Sequence, residues 1–184
     1  GVSVIDVAKS LGAGLAKAAC AGRINNQVVD LRTPINEDCN LEICTFDDED
    51  GKKAFWHTAA HVMAQAIQHL YPEAKFGIGP ALENGWYYDI GGVKPFTPDQ
   101  FAAIEAEMKK IIKEALKIER FTKSREDAIA FMKEKGEPYK VELIEDLPEG
   151  EEISFYSQGE FVDLCAGPHL MSTKGVGKAF KIMS

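Results

Sequence analysis

No stretch of this sequence approaches the roughly 20 apolar residues that a membrane-crossing helix needs. Its start, Gly1-Val2-Ser3-Val4-Ile5-Asp6, lacks the basic-then-apolar pattern of a secretory signal, so a cytoplasmic protein with no membrane partner is expected. Cysteine is sparse: Cys20, Cys39, Cys44 and Cys165 are scattered through 184 residues and read as reduced thiols, the first three in packing roles, not as a disulfide scaffold. Positive charge is also short. With 21 Lys and Arg against 29 Asp and Glu the net charge is −8, which weighs against this chain alone holding nucleic acid tightly, because phosphate neutralisation supplies most non-specific affinity. The glycines of Gly77-Ile78-Gly79-Pro80 and Gly91-Gly92 have the wrong spacing for a phosphate-binding fingerprint. There is no internal repeat and no low-complexity segment.

What is there suffices for one good core or two small ones, since 45% of residues are hydrophobic and 27% charged. Local signals predict an α+β protein in two parts. Residues 1–46 read as a small unit: a helix capped by Ser3 with Asp6 at the capping-box position, a short helix over 15–21, a hairpin through Arg23-Ile24-Asn25-Asn26-Gln27-Val28-Val29 and a strand over 41–46. The run Asp47-Asp48-Glu49-Asp50-Gly51 reads as a self-repelling linker. A second unit is expected over 47–184, opening with a helix over 55–70 and a strand at Trp86-Tyr87-Tyr88-Asp89-Ile90. Thr97, Pro98 and Gln100 then supply an N-cap, a first-turn proline and a capping-box partner for a long helix to about residue 118. A strand over 120–123, a helix over 124–135 stopped by Gly136 and Pro138, and strands over 139–144, 153–156, 161–164 and 178–183 complete the pattern. Strands this late and closely spaced favour a two-layer unit, an antiparallel sheet with helices on one face.

Three of the four histidines fall in paired motifs. His57 and His61 stand four apart in a segment without glycine or proline, so a helix there puts both imidazoles on one face, about 5–6 Å apart at Cβ. Cys165 and His169 repeat that spacing across Gly167-Pro168, whose tight turn returns the two side chains toward each other after Phe161-Val162-Asp163-Leu164. An apolar helix also carries ordinary hydrogen-bonded core histidines. Two such pairs together point instead to side chains gripping one substrate or metal. The basic cluster Lys109, Lys110, Lys113, Lys117, Arg120, Lys123 and Arg125 could touch a phosphate backbone, yet fits better as a solvated face near a helix C-terminus, where cations favour the dipole. His69 reads as ordinary surface.

Taken together, His57-Thr58-Ala59-Ala60-His61, Glu83-Asn84-Gly85-Trp86-Tyr87-Tyr88-Asp89 and Phe161-Val162-Asp163-Leu164-Cys165-Ala166-Gly167-Pro168-His169 closely resemble the editing domain of bacterial-type threonyl-tRNA synthetases. The region from Val28-Val29-Asp30-Leu31 to Leu41-Glu42-Ile43 resembles the β-grasp TGS domain that precedes it. Alanyl-tRNA synthetase editing domains share only the sparse histidine and cysteine pattern. The resemblance implies a fragment: a β-grasp-like unit lacking its first strands, and an aminoacylation domain, with its zinc, ATP, magnesium and homodimer contacts, lying beyond Met183. It also implies an activity, hydrolysis of the ester joining serine to threonine tRNA, whose charged acceptor end is the partner. Serine lacks one methyl group of threonine, a difference worth only about 1–3 kcal/mol in transition-state binding, so a second, hydrolytic site is the remedy.

By the same resemblance His57 is the base, or the contact through which a ribose hydroxyl relays the proton. His61 and His169 orient groups. Lys140, in Glu137-Pro138-Tyr139-Lys140-Val141, matches the family's catalytic lysine, Asp163 takes the serine ammonium and Tyr88 lines the adenosine pocket. Tyr87, on the opposite strand face, is expected in the core. Cys165 is expected to hold water, because so activated an ester needs no nucleophilic catalysis, although a histidine-activated thiolate could attack directly.

Two other readings keep these residues. His57, His61, Cys165 and His169 are a plausible tetrahedral zinc set, but using all four leaves no open position and suits a structural ion. No metal or cofactor is expected for editing, since a Lys140 ammonium in the same pocket would repel a divalent cation. A non-catalytic RNA-binding or regulatory protein is the reading from another class, because TGS domains occur there too. Clustered titratable groups weigh against it.

Overall fold

Ser3 caps the first helix as its spacing predicts, its hydroxyl accepting from the Asp6 N–H while the Asp6 carboxylate accepts from the Ser3 N–H at 2.9 Å. The computed structural model describes residues 1–184. The N-terminal unit comprises β1 (Val2–Ser3), α1 (Val4–Leu11), α2 (Ala13–Ala18), β2 (Ala21–Ile24), β3 (Gln27–Val29), β4 (Pro34–Ile35) and β5 (Leu41–Cys44). Its antiparallel sheet has the order β3-β2-β5. The β2–β3 hairpin turns through Asn25 and Asn26 at φ 49° and 69°, left-handed values that asparagine tolerates. Val4, Ile5 and Ala8 of α1 close on Leu31 in a small core.

Asp47 to Gly51 is not the linker that its charge suggested. Glu49–Leu70 is one helix, α3, whose first turn holds Glu49 and Asp50, where carboxylates favour the helix dipole. Asp48 closes the entry by accepting the Thr45 N–H at 3.0 Å. Gly51 is required there, since a Cβ would lie 1.8 Å from the Thr45 carbonyl oxygen. Buried residues of α3 pack with Cys20, Ala21 and Cys44 of the first unit and with Ile104, Met108 and Ile111 of α4 (Pro98–Glu114). The free thiols Cys20 and Cys44 are thus packing residues.

Between α3 and α4 the expected strand over 86–90 is broken into short ladders, β6 (Lys75–Phe76) with β9 (Ile90–Gly91) and β7 (Ala81–Leu82) with β8 (Gly85–Trp86). Thr97 and Gln100 form the predicted capping box, but α4 stops before residue 118: Ala115 turns left-handed at φ 51°, and Ile118 enters β10 (Ile118–Lys123). After α5 (Arg125–Glu134), residues 139–144 form part of a helix, α6 (Pro138–Asp146), where a strand was expected. Tyr139, Val141 and Leu143 alternate as in a strand, yet the buried set is Lys140, Val141 and Ile144, which is helical spacing, and Pro138 suits a first turn. Residues 178–183 likewise form no strand; the Ile182 N–H bonds Glu105 at 2.7 Å instead of a ladder neighbour.

β10, β11 (Ile153–Gln158) and β12 (Phe161–Leu164) make an antiparallel sheet in that order. Helices α5 and α6 cover one face, setting Ala128, Met132, Val141 and Ile144 against Ile153 and Phe155. On the other face Tyr156 pairs with Asp163 and Gln158 with Phe161. That face meets α3, where Gln158 Nε2 donates to Gln65 Oε1 at 2.8 Å and the Phe161 ring contacts His61. The α+β class is as predicted, with helix packed on a second face of the sheet as well. Much of the basic cluster is engaged locally, as a solvated face should be: Lys110 pairs with Glu107, Lys117 with Glu119, Arg120 with Glu152, and Arg125 donates to the Leu147 and Pro148 carbonyls.

Candidate active site

One helical turn apart on α3, His57 and His61 line a cavity of about 420 Å³ together with Tyr88, Lys140, Ser154 and Cys165. Asp163 sits behind it, buried. Lys140 Nζ donates to Asp163 Oδ1 at 2.7 Å, the Tyr88 hydroxyl donates to Oδ2, and His61 Nε2 lies 3.2 Å from that same oxygen. Lys140 Nζ also donates to the Tyr88 hydroxyl at 3.0 Å. Burial alone would raise the Asp163 carboxyl, but the Lys140 ammonium, then His61 and the hydrogen bonds, hold it below its ordinary value. Tyr88 is pushed well above the usual phenol range by burial and by the Asp163 charge, so it remains a donor. Burial depresses His61 to about 4, with Asp163 opposing only in part; its imidazole is neutral at pH 7.

Cys165 and His169 come together as the turn predicted. His169 Nε2 lies 3.3 Å from Cys165 Sγ, which also accepts the Gly167 N–H at 3.3 Å. Gly167 has φ 72°, and a Cβ there would lie 2.0 Å from the Tyr156 hydroxyl, so both backbone and space demand glycine. The buried His169 ring stacks on Tyr156 with centroids 4.1 Å apart, and lies 4.4 Å from His61 and 6.0 Å from His57. Burial drives His169 well below the usual imidazole range, His61 and His57 adding to the effect. Burial also pushes the Cys165 thiol up to about 12, which disfavours a free thiolate nucleophile at neutral pH. His57 is lowered by burial, the Pro168 carbonyl partly opposing. The Nδ1 atoms of His57 and His61 are buried without a hydrogen-bond partner.

His57, Cys165 and His169 offer ligand atoms within 4.8 Å of one another. Three of the four residues of the zinc reading therefore gather, and His61 stands apart with its Nε2 turned to Asp163. Two imidazoles and a thiol are the donor types of a zinc site with an open fourth position, and the Lys140 ammonium lining the same cavity as His57 and Cys165 is the feature that weighs against a dication. Tyr87, expected in the core, is 41% exposed; it lies beyond the end of β8, so strand alternation does not orient it. His69 is not bare surface, since Glu107 and Glu160 flank it at 2.9 and 2.5 Å. Sequence reasoning missed Tyr156 and Arg32 around His169, and Thr58 and Asp30 entered only as members of quoted motifs, without a role. A wider cleft of about 760 Å³ runs between the N-terminal unit and the second, and shares His57, Glu152 and Ala166 with the site cavity.

Compared with known proteins, residues 1–45 match the TGS domain family and residues 153–184 match the threonyl and alanyl tRNA synthetase second additional domain. The chain is 59% identical over all its 184 residues to a threonine--tRNA ligase of Caldanaerobacter subterraneus subsp. tengcongensis, covering 28% of that protein, and 60% identical to one of Acetivibrio thermocellus, covering 29%. Over 179 residues, 97% of the chain, it is 62% identical to the threonine--tRNA ligase of Clostridium acetobutylicum, covering 28% of it. It thus spans less than a third of the length of these curated relatives. No helix is long and apolar enough to cross a membrane.

Proposed function

We propose that this chain, a TGS domain over 1–46 joined to a threonyl/alanyl-type second additional domain over 47–184, is the proofreading part of a threonine--tRNA ligase and hydrolyses the ester between serine and threonine tRNA while sparing threonine. The observation that carries this reading is the buried Lys140–Asp163–Tyr88 cluster facing neutral His57 and His61 in one cavity. An ester hydrolase needs a proton acceptor, a positive or donating group for the developing oxyanion, and a held substrate. His57, lowered from its ordinary imidazole value by burial and lining the cavity, suits the acceptor, taking a proton from water or from a ribose hydroxyl. The water oxygen adds to the ester carbonyl, the bond between the acyl carbon and the ribose oxygen breaks, and the departing ribose oxygen regains the proton.

Lys140 supplies the charge that the oxyanion meets, and ionised Asp163, buried behind the wall with Lys140, Tyr88 and His61 on its oxygens, draws the serine ammonium by its charge without itself lining the cavity. Tyr88, locked by its bonds to Asp163 and Lys140, makes a stiff wall on the adenosine side. Cys165, as a thiol, and His169 bound to it orient water. Groups bonded to one another make a stiff wall, and stiffness is what a second sieve needs if it is to reject threonine's extra methyl group. Editing in this reading uses no metal or cofactor; zinc, ATP, magnesium and the homodimer contacts belong to the aminoacylation part of the enzyme, which works in the cytoplasm. Deacylation of seryl- and threonyl-tRNA by the purified chain tests it. Serine is expected to be released and threonine spared; equal rates would overturn the sieve, and no rate on either ester would overturn the activity. The His57, Cys165 and His169 trio supports one second reading, a zinc-dependent deacylase of the alanyl type.

A further inference from the structure

The backbone of His169 is gripped on both sides by the N-terminal unit, and we propose that Asp30 and Arg32 are positioning residues for the His169–Cys165 wall, making the TGS unit a working part of the site. The proposal rests on the deacylase reading above. Asp30 Oδ2 accepts from the His169 N–H at 3.2 Å and from the Tyr156 hydroxyl at 2.7 Å. Its other oxygen accepts from the Arg32 N–H at 2.9 Å and from the Arg32 guanidinium at 2.8 Å. Arg32 in turn donates to the carbonyls of His169, Leu170 and Ile118 at 3.2, 2.6 and 2.7 Å.

One carboxylate therefore fixes the His169 backbone directly and its ring plane indirectly, since the Tyr156 ring that Asp30 anchors is the one stacked on the imidazole. The ring so held presents Nε2 to Cys165. With 8% and 17% side-chain exposure, Asp30 and Arg32 are mostly desolvated, and a desolvated pair is a weak way to stabilise a seam that apolar contacts could close as well. What fully matched, directional bonds add is a fixed orientation. Every one of these bonds across the seam ends within β11, at the start of β10 or on residues 169–170, and the last of these segments reaches the cavity through the bond from His169 to its lining residue Cys165.

The test uses the whole chain with Asp30→Ala, Asp30→Asn and Ser3→Ala. Asp30→Ala is expected to lower kcat for seryl-tRNA deacylation roughly 10–100-fold, the usual cost of losing a group that orients a site residue, with KM nearly unchanged, and to shift the His169 ring-nitrogen resonances at fixed pH. Asp30→Asn, which keeps one acceptor oxygen, should restore part of both. Ser3→Ala loosens α1 in the same unit without touching His169, and should lower the melting temperature while leaving kcat and those resonances alone. A folded Asp30→Ala chain with parental kcat and unmoved resonances would overturn the proposal, as would a Ser3→Ala chain that reproduces the loss. If Asp30→Ala fails to fold, Tyr156→Phe carries the same two readouts. A parent chain without deacylation would sink the functional reading instead, and the His169 resonances would still decide the positioning role.

Discussion

His61 and His69 sit two turns apart on one helix and shift in opposite directions. At His61 burial dominates and depresses the imidazole to about 4. At His69, whose side chain is 30% exposed, burial would also lower it, but hydrogen bonds to Glu107 and Glu160 outweigh that and raise it. The inner end of α3 thus carries neutral rings able to accept a proton. The outer end carries a hydrogen-bonded clasp from α3 to α4 and to the β11–β12 turn, which holds a proton on His69 more firmly than water would. What a histidine does on this helix is set by what packs against its face, and the contrast can be attacked at either end.

The largest effect belongs to the inner end. His57→Ala should cost about 10²–10⁴-fold in seryl-tRNA deacylation, the range for losing a general base, with the fold intact by circular dichroism; a parental rate would mean that the site is misplaced. Lys140→Ala should lose as much rate, but also about 3–5 kcal/mol of stability, because Asp163 would remain buried without its counter-charge. Purely local reasoning expects little loss of stability there, so the denaturation midpoint separates the two views.

Acid should then distinguish the two ends by sign. A depressed folded pKa means that the unfolded chain binds protons first, so His61 contributes stability that is full above about pH 6.5 and declines as pH falls toward about 4, at up to about 1.4 kcal/mol per pH unit. His57 and His169 act in the same direction. His69, with its raised value, contributes stability that is present below about pH 6.5 and is lost as pH rises through its folded pKa. Urea titrations from acid to neutral pH should show a shallower acid limb for His61→Gln; an unchanged limb would contradict its burial as a neutral ring.

Smaller still is His69→Ala. An exposed ion pair is worth less than about 1 kcal/mol, so this variant should shift the midpoint slightly at pH 6, less at pH 8, and leave deacylation within twofold of the parent. A large loss of rate would show that the outer end communicates with the site. The least effect is expected from chelation, which should leave deacylation unchanged. Stoichiometric zinc on elemental analysis, whose removal abolishes the rate, would return His57, Cys165 and His169 to the role of ligands.

Local chemistry was legible from the sequence because its partners lie within a turn of each other. The capping boxes at Ser3 and Thr97, the shared face of His57 and His61, and the return of His169 onto Cys165 all follow from spacings of three or four residues. The acidic start of α3, the helix at Pro138–Asp146 and the unpaired run at 178–183 were not legible, since a short apolar or charged run suits several conformations until burial selects one. Only the tertiary structure decided that Lys140 and Tyr88 converge on Asp163, that His61 turns to that carboxylate and away from Cys165, and that Asp30 reaches His169 from the other unit. Those contacts join residues tens of positions apart, and desolvation, which decides both their protonation and their strength, exists only once the chain has closed over them.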